Sequence, residues 1–522
     1  MKKHMTRILA LVLVLIIAVG TTAIAEEGSK SFTYWLPFIG GATAKQYISS
    51  YNESSVYIER ENRTGVHIDF EHPSVGEEKE QFNLMIVSNI LPDMVSDVDS
   101  YYVGGVLTAI SDGLFVDVTD MIEEYAPNLC ALMEMNPALK KELYSDDGIF
   151  MGFPMITIGS DQTGDSIMPG PLSPWGGPMI RADWVEQVGK EVPTTIGEWY
   201  DVLTAIKEQI NPEIVLSFST ESPQKLVGAF GIFVGAYNIG PTFYQVDGTV
   251  KYGPAQQEYK DYLTEMAKWY AEGLIDPEYA TRDNSSLNPL INNGQCAATW
   301  RQAVSFIDKQ AGNYGLSWVA AQYPDLEKGV ERKWRFSNNI SRGHVTLISS
   351  TCEDVAAAIQ WIDYGYSQEG ARLMTMGIDG VDYEGYNELG QPNYVEKYMA
   401  NNGSERTNYS GVTYFTDGSF LRYPNEMMSI TYFDEKNYAV PQLWMGDTSY
   451  VMPTITLTTD ETTEVGEIMA NVYTHVNEMT SKFIMGIEPL ENFDKFVSEL
   501  NTMGLERATE IYQAALDRYN AR

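Results

Sequence analysis

Cysteine, histidine and positive charge are scarce in this chain. Its 522 residues hold 3 cysteines, 5 histidines and 35 Lys+Arg against 71 Asp+Glu, a formal net charge of −36. An odd number of cysteines leaves at least one unpaired or paired between chains, and no disulfide framework is expected. Cys130, Cys296 and Cys352 read as small buried hydrophobes. His4 belongs to an N-terminal leader, and His67, His72, His344 and His475 stand in no metal-ligand spacing. They read as solvated or satisfied histidines. Asp93, Asp97 and Asp99 lack the distal glutamate of an EF-hand. No GxGxxG, P-loop, GxSxG or HExxH pattern occurs, so no nucleotide, serine-hydrolase or zinc-peptidase chemistry is proposed. The acidic field repels nucleic acid and anionic membrane, although one local arginine can still hold an anion.

Long apolar runs are also missing beyond the N-terminus. Lys2, Lys3 and Arg7 precede the apolar run Ile8–Val19, and Ala23-Ile24-Ala25 fits a small-x-small cleavage rule. The run is shorter than the ~20 residues that span a bilayer. Residues 1–25 are therefore expected to be a cleaved secretion signal, and the mature chain is expected outside the cytoplasm.

What is present is a long, well-patterned globular chain. Its length exceeds one ordinary core, and 44% of it is apolar, so two or more lobes are expected. Strands are predicted at 32–36, 65–70 and 91–95, with helices at 52–63 and 77–87 between them. Phe82, Leu84, Met85 and Ile86 are placed on or near the inner face of the second helix. This alternation predicts a mainly parallel sheet, with ligands beyond the carboxyl ends of its strands. Asp120–Glu123, Thr195–Glu198 and Ser350–Glu353 each have capping-box spacing. Trp199, Val202, Leu203, Ile206 and Ile210 form an apolar helical face, and Val465, Met469, Val472, Val476 and Phe483 another. Trp184, Trp199, Trp269 and Trp361 lie on such faces and read as core.

The stretch Ser349–Glu384 carries the most specific wording. Trp361-Ile362-Asp363-Tyr364 and Tyr366-Ser367-Gln368-Glu369-Gly370-Ala371, followed by Gly377–Glu384, closely resemble a segment of bacterial extracellular solute-binding proteins of family 1. These are capture subunits of carbohydrate ABC importers, many of them lipoproteins. Phe115–Leu129, Asp146–Pro154, Met179–Gln187 and Phe496–Tyr519 resemble further segments of that family, in the same order.

The resemblance implies an α/β, two-lobe periplasmic-binding-protein-like fold of type II. Each lobe would be a mainly parallel sheet flanked by helices, with the ligand cleft between lobes. Residues 26–154 and 336–384 would form the first lobe and 155–335 the second. Residues 385–450 are an unassigned Tyr- and Asn-rich stretch placed near the cleft, and 451–522 are helices packed on the second lobe. It implies a carbohydrate ligand, most simply an oligosaccharide, ABC permease subunits as partners, a monomer, no cofactor and no catalysis. The chain departs from the lipoprotein pattern, because no cysteine follows the apolar run. A lipid anchor is therefore not expected.

Sugars present apolar C–H faces ringed by hydroxyls, so their sites combine aromatic platforms with planar polar groups. The candidates are Trp35; Asp97, Tyr101 and Tyr102 after the third strand; Trp175 in a Gly/Pro-rich loop; Trp300 with Arg301; and Asn338 with Asn339. Core packing is the alternative reading for each Trp. Three functional alternatives stay open. One is a receptor for a non-sugar solute on the same fold, and another is a sensor. The third is a secreted glycoside hydrolase or lyase, which needs two carboxylates ~5–9.5 Å apart.

Overall fold

The computed structural model describes residues 30–38, 45, 47–157, 159–160, 167–168, 174, 176–218, 232–330, 332–336, 341, 343–386, 392–399, 418–422, 439–440 and 443–522. The leader and the candidates Trp175, Asn338 and Asn339 lie outside the described residues.

The first lobe opens with β1 (Lys30–Trp35), α1 (Ser55–Thr64), β2 (Val66–Glu71), α2 (Glu78–Ser88) and β3 (Met94–Val95). β1 pairs in parallel with both β2 and β3. β3 keeps two residues of the predicted five. Just before it, Asp93 and Thr33 clasp each other: the Asp93 carboxylate accepts from the Thr33 N–H (2.8 Å) and hydroxyl (2.9 Å), and the Thr33 hydroxyl oxygen accepts from the Asp93 N–H. The free edge of β2 is closed by the Asn52 amide, which donates to the Ile68 carbonyl and accepts from the Phe70 N–H. An edge satisfied in this way offers no template for another strand. On α2, Phe82 is buried while Leu84 is 66% exposed, correcting its inward assignment. Phe82, Met85 and Ile86 share the i, i+3, i+4 face, and Leu84 falls off it. Two further helices follow, α3 (Pro127–Met135) and α4 (Pro137–Leu143), and then β4 (Ile156–Thr157).

The second lobe contains β5 (Gly176–Arg181), α5 (Ile196–Gln209), β6 (Ile214–Leu216), the hairpin β7 (Phe243–Val246) and β8 (Thr249–Tyr252), α6 (Gln257–Ala271), α7 (Asn284–Asn292), β9 (Cys296–Gln302) and β10 (Trp318–Ala320). Its four-stranded sheet has the order β10-β5-β9-β6. β9 is parallel to β6, but β5 is antiparallel to both β9 and β10. This sheet is mixed, not mainly parallel. The strand order is set by where the chain enters from the first lobe, and β5 arrives running against its neighbours.

The chain then returns through 341–346 to β11 (Leu347–Ile348), which adds to β3 antiparallel and completes the order β11-β3-β1-β2. α8 (Val355–Tyr364) and α9 (Gln368–Met376) follow, then β12 (Leu421–Arg422), which pairs with β4. The C-terminal part holds α10 (Thr459–Ile484), α11 (Phe493–Thr502) and α12 (Leu505–Ala521).

The capping signals were decoded unevenly. At Thr195 the hydroxyl accepts from the Glu198 N–H, but the Glu198 carboxylate turns to Thr194. The box predicted at Ser350 is not formed. Ser349 and Ser350 donate their N–H groups to Asp93 and Leu114, so the helix begins at Val355, capped by Asp354. Near Asp120, Asp117 takes the Thr119 N–H and hydroxyl, and a 3-10 turn precedes a short helix.

Two large apolar cores result. One gathers residues from β1, α1, α3, α8 and α9 with Tyr398, Phe420 and Leu421. The other gathers β5, α5, α6 and β9 with Trp444 and the inner faces of α10, α11 and α12. A smaller cluster under α2 holds Trp35, Phe82, Val95 and Val98. The chain passes between the large cores three times: between Ile156 and Met179, between Trp334 and Ile348, and between Leu421 and Trp444. All three cysteines are free thiols. Among the described residues no helix is long and apolar enough to cross a membrane.

Candidate functional site

Beside the crossings, a chain of hydroxyls stitches segments of the first lobe together. Ser419 donates to the Phe153 carbonyl (2.6 Å), and a carbonyl can only accept. Thr346 must therefore donate to Ser419 (2.7 Å) and Tyr34 to Thr346 (2.6 Å). Tyr34 sits on β1, Phe153 just before the first crossing, Thr346 on the second and Ser419 just before the third. Burial raises the Tyr34 hydroxyl well above the ordinary tyrosine range, so it stays protonated and can donate.

The carboxyl ends of β1, β2 and β3 form the rim beside this stitch. Asp97, one residue beyond Ser96, is 5% exposed and has φ 60. Its carboxylate meets His344 Nδ1 at 2.6 Å, and His344 itself has φ 54. Two non-glycine residues in the left-handed region, facing each other at a crossing, mark backbone held by its surroundings. Asp99 accepts from the Val345 N–H (2.9 Å), and Gly343 lets its carboxylate approach, since a Cβ there would meet Asp99 Oδ2 at 2.9 Å. Behind the rim, a cavity of about 380 Å3 lies among residues 99–107, 142–154, 341–345 and 454–462, with Asp99, Glu142 and Thr456 in its wall. Burial raises the Glu142 carboxyl, although the Ser341 N–H it accepts opposes this.

His72 sits at the end of β2 with both ring nitrogens committed. Nε2 accepts from the Tyr51 N–H (3.0 Å), so Nδ1 carries the proton and donates to the Leu36 carbonyl (2.6 Å). Burial lowers its pKa, and the neutral ring packs against Phe38 at 4.1 Å with the two planes tilted. It braces the Leu36–Phe38 turn.

The structure distributes the predicted residues between rim and packing. Trp35, expected as a platform, is 5% exposed, with Phe82 at 5.7 Å and Tyr101 at 6.1 Å against its ring. It offers no open face. Tyr102 donates its hydroxyl to Asp112 (2.6 Å), and this proximity and burial push its pKa up to about 12. In the second lobe, Gly176 and Gly177 admit two indoles. A Cβ at Gly176 would meet Trp300 at 2.7 Å, and one at Gly177 would meet Trp444 at 2.4 Å. Trp300 is thus packed as well, and its N–H reaches Tyr323 Oη (3.4 Å), which donates to the Gly176 carbonyl. Arg301, next on the strand, stays partly exposed at the carboxyl end of β9. His344 was missed in the sequence. Gly343 before a returning strand was its one local signal, and its partner Asp97 lies 247 residues away. Among the described residues no group of three or more His, Cys, Asp or Glu could hold a metal ion.

No family model matches the chain. It is 24% identical over 502 residues to the fructooligosaccharide ABC transporter substrate-binding protein FusA of Streptococcus pneumoniae serotype 4, covering 90% of this chain and 88% of that protein. It is 23% identical over 338 residues to the polygalacturonan/rhamnogalacturonan-binding protein YtcQ of Bacillus subtilis, covering 62% of each. Among solved structures, the alginate-binding protein AlgQ2 without calcium ion superposes with a TM-score of 0.70 at 21% identity, over 94% of this chain and 98% of that one. The chain is thus similar over most of its length to substrate-binding proteins of ABC transporters, and it shares the fold of solved solute-binding proteins.

Proposed function

We propose that this protein captures an oligosaccharide between its two lobes and hands it to the permease of an ABC importer. The observation that carries the reading is the relation to a substrate-binding protein over 90% of the chain, a span that takes in both cores and all three crossings. Two cores joined by crossings of the chain can close over a solute by bending at the crossings. The relatives are named for binding, and two of those names cover both neutral and acidic glycans. The protein is read as a receptor and not an enzyme, exported by its leader and working as a monomer. The first lobe is taken as 26–154 with 336–384, and the second as 155–335 with 451–522.

Ligand contacts are assigned to Asp97, Tyr101 and Tyr102 on the first rim and to Arg301 on the second, with Trp175, Asn338 and Asn339 from the intervening loops. Trp35 and Trp300 act behind them, holding the rims in shape. Titration calorimetry of the mature protein against a panel of neutral and acidic oligosaccharides tests the reading. Saturable one-to-one binding without turnover is expected. Failure of every glycan to bind, or release of new reducing ends during incubation, would sink it.

A further inference from the structure

Among the described residues, Arg301 is an arginine without a counter-charge, in a chain with net charge −36. Arginines elsewhere clamp carboxylates: Arg181 on Asp183, Arg282 on Asp276, Arg507 on Glu464 and Arg518 on Glu461. Arg60 lacks a carboxylate among its hydrogen bonds, but it is buried in the first core, 3.7 Å over the Trp361 ring and bonded to the Trp361 carbonyl. Among the described residues no aromatic ring lies beneath Arg301. Its Nη1 donates to Thr299 Oγ1 (3.2 Å) and the Trp300 carbonyl (2.8 Å), and its Nη2 to Asn288 Oδ1 (3.2 Å). Every acceptor is neutral. Desolvation brings the guanidinium down to about 10, still charged at neutral pH.

A guanidinium has five N–H donors. Three are engaged here, and the donors left over, on Nε and Nη2, have no acceptor among the described residues. Nε and Nη2 are the pair that a planar carboxylate takes side-on. The three bonds already made fix the plane of the group, so little freedom remains to be lost on binding. The strand end is fixed as well. Gly177 pairs with Arg301, and a Cβ at Gly176 would strike the Arg301 carbonyl at 2.5 Å. The position, at the carboxyl end of β9, is where α/β sheets receive ligands.

From this placement we infer that Arg301 is a carboxylate anchor, and that the captured glycan is acidic, bearing uronic-acid residues. The inference rests on the receptor reading above and narrows it. An uncompensated, largely desolvated cation is costly in the empty protein and becomes favourable when a carboxylate arrives. The overall negative charge opposes acidic ligands at long range, so a fixed local cation is what such a ligand requires.

The test is calorimetry on the mature protein with trigalacturonate, its carboxyl-reduced neutral counterpart, and a neutral fructo-trisaccharide. Trigalacturonate should bind at least about tenfold more tightly than its reduced form, with the preference shrinking as NaCl is raised. Arg301→Gln should bring the acid down to the affinity of the reduced sugar. Arg301→Lys should retain part of the preference, because it keeps charge without the fork. If Arg301→Gln does not fold, the wild-type comparison and Arg301→Lys still decide. Equal affinity for acid and reduced sugar, or tight binding of the fructo-trisaccharide alone, overturns the inference and leaves the receptor reading standing. Binding of none of these probes or of the wider glycan panel overturns both.

Discussion

Thr346→Val is the most direct test of how the first-lobe segments beside the crossings are held together. The substitution keeps shape but deletes the middle hydroxyl of the chain Tyr34–Thr346–Ser419–Phe153. Two hydrogen bonds are lost, each worth about 1 kcal/mol net. The Tyr34 hydroxyl, on a residue 1% exposed, then has lost its acceptor, and stranding a buried donor adds ~1–3 kcal/mol. Ser419 keeps its bond to Phe153, so the lower end of the chain survives. The sum is a loss of about 3–5 kcal/mol. Urea denaturation followed by tryptophan fluorescence measures it, with Thr346→Ser as the control that retains the hydroxyl. A Thr346→Val midpoint equal to wild type would refute the directional chain. So would a Thr346→Ser loss as large as that of Thr346→Val, since packing of the methyl would then be the cause.

Three further outcomes are expected. Asp363→Ala should cost about 2–3 kcal/mol in the same denaturation assay, and Asp363→Asn less, because the Asp363 carboxylate takes the first-turn N–H groups of Asn128 and Leu129 on α3. Gly177→Ala should lower stability by ~1–3 kcal/mol by driving a methyl into the Trp444 ring, and Trp444→Phe in the same chain should recover part of the loss in a double-mutant cycle. Glu198 is held down to about 2 by Lys328 and Thr194, from an ordinary 4.5. Its contribution is therefore present above pH ~4.5 and is lost as pH falls toward 2. Glu198→Gln should flatten that limb of an acid-unfolding curve, and an unchanged limb would remove Glu198 as its source.

Periodicity made much of the framework legible. The first-lobe elements β1, α1, β2 and α2 fall within a few residues of their predicted spans, because apolar alternation and helical spacing report burial directly. Trp199, Trp269 and Trp361 are core, as their helical faces require. Capping was less legible. Ser350 and Glu353 have box spacing, yet Ser350 spends its N–H on Leu114, and the cap of α3 comes from Asp363, more than two hundred residues downstream. A local pattern names groups able to cap. It does not name the competing acceptor that a neighbouring strand brings.

The site shows the same division more sharply. By itself the sequence determined the charge, the two-lobe expectation, the family resemblance, and that Asp97, Tyr101, Tyr102 and Arg301 stand near strand ends. Those properties depend on composition and short-range order. Tertiary structure alone decided that Trp35 and Trp300 are packing, that Asp97 faces His344, and that three hydroxyls and a backbone carbonyl tie four distant segments together beside the crossings. It also decided that Arg301 meets only neutral partners. The reason is physical. Whether an aromatic ring keeps an open face, or a charge finds its opposite, depends on which remote segments are brought beside it.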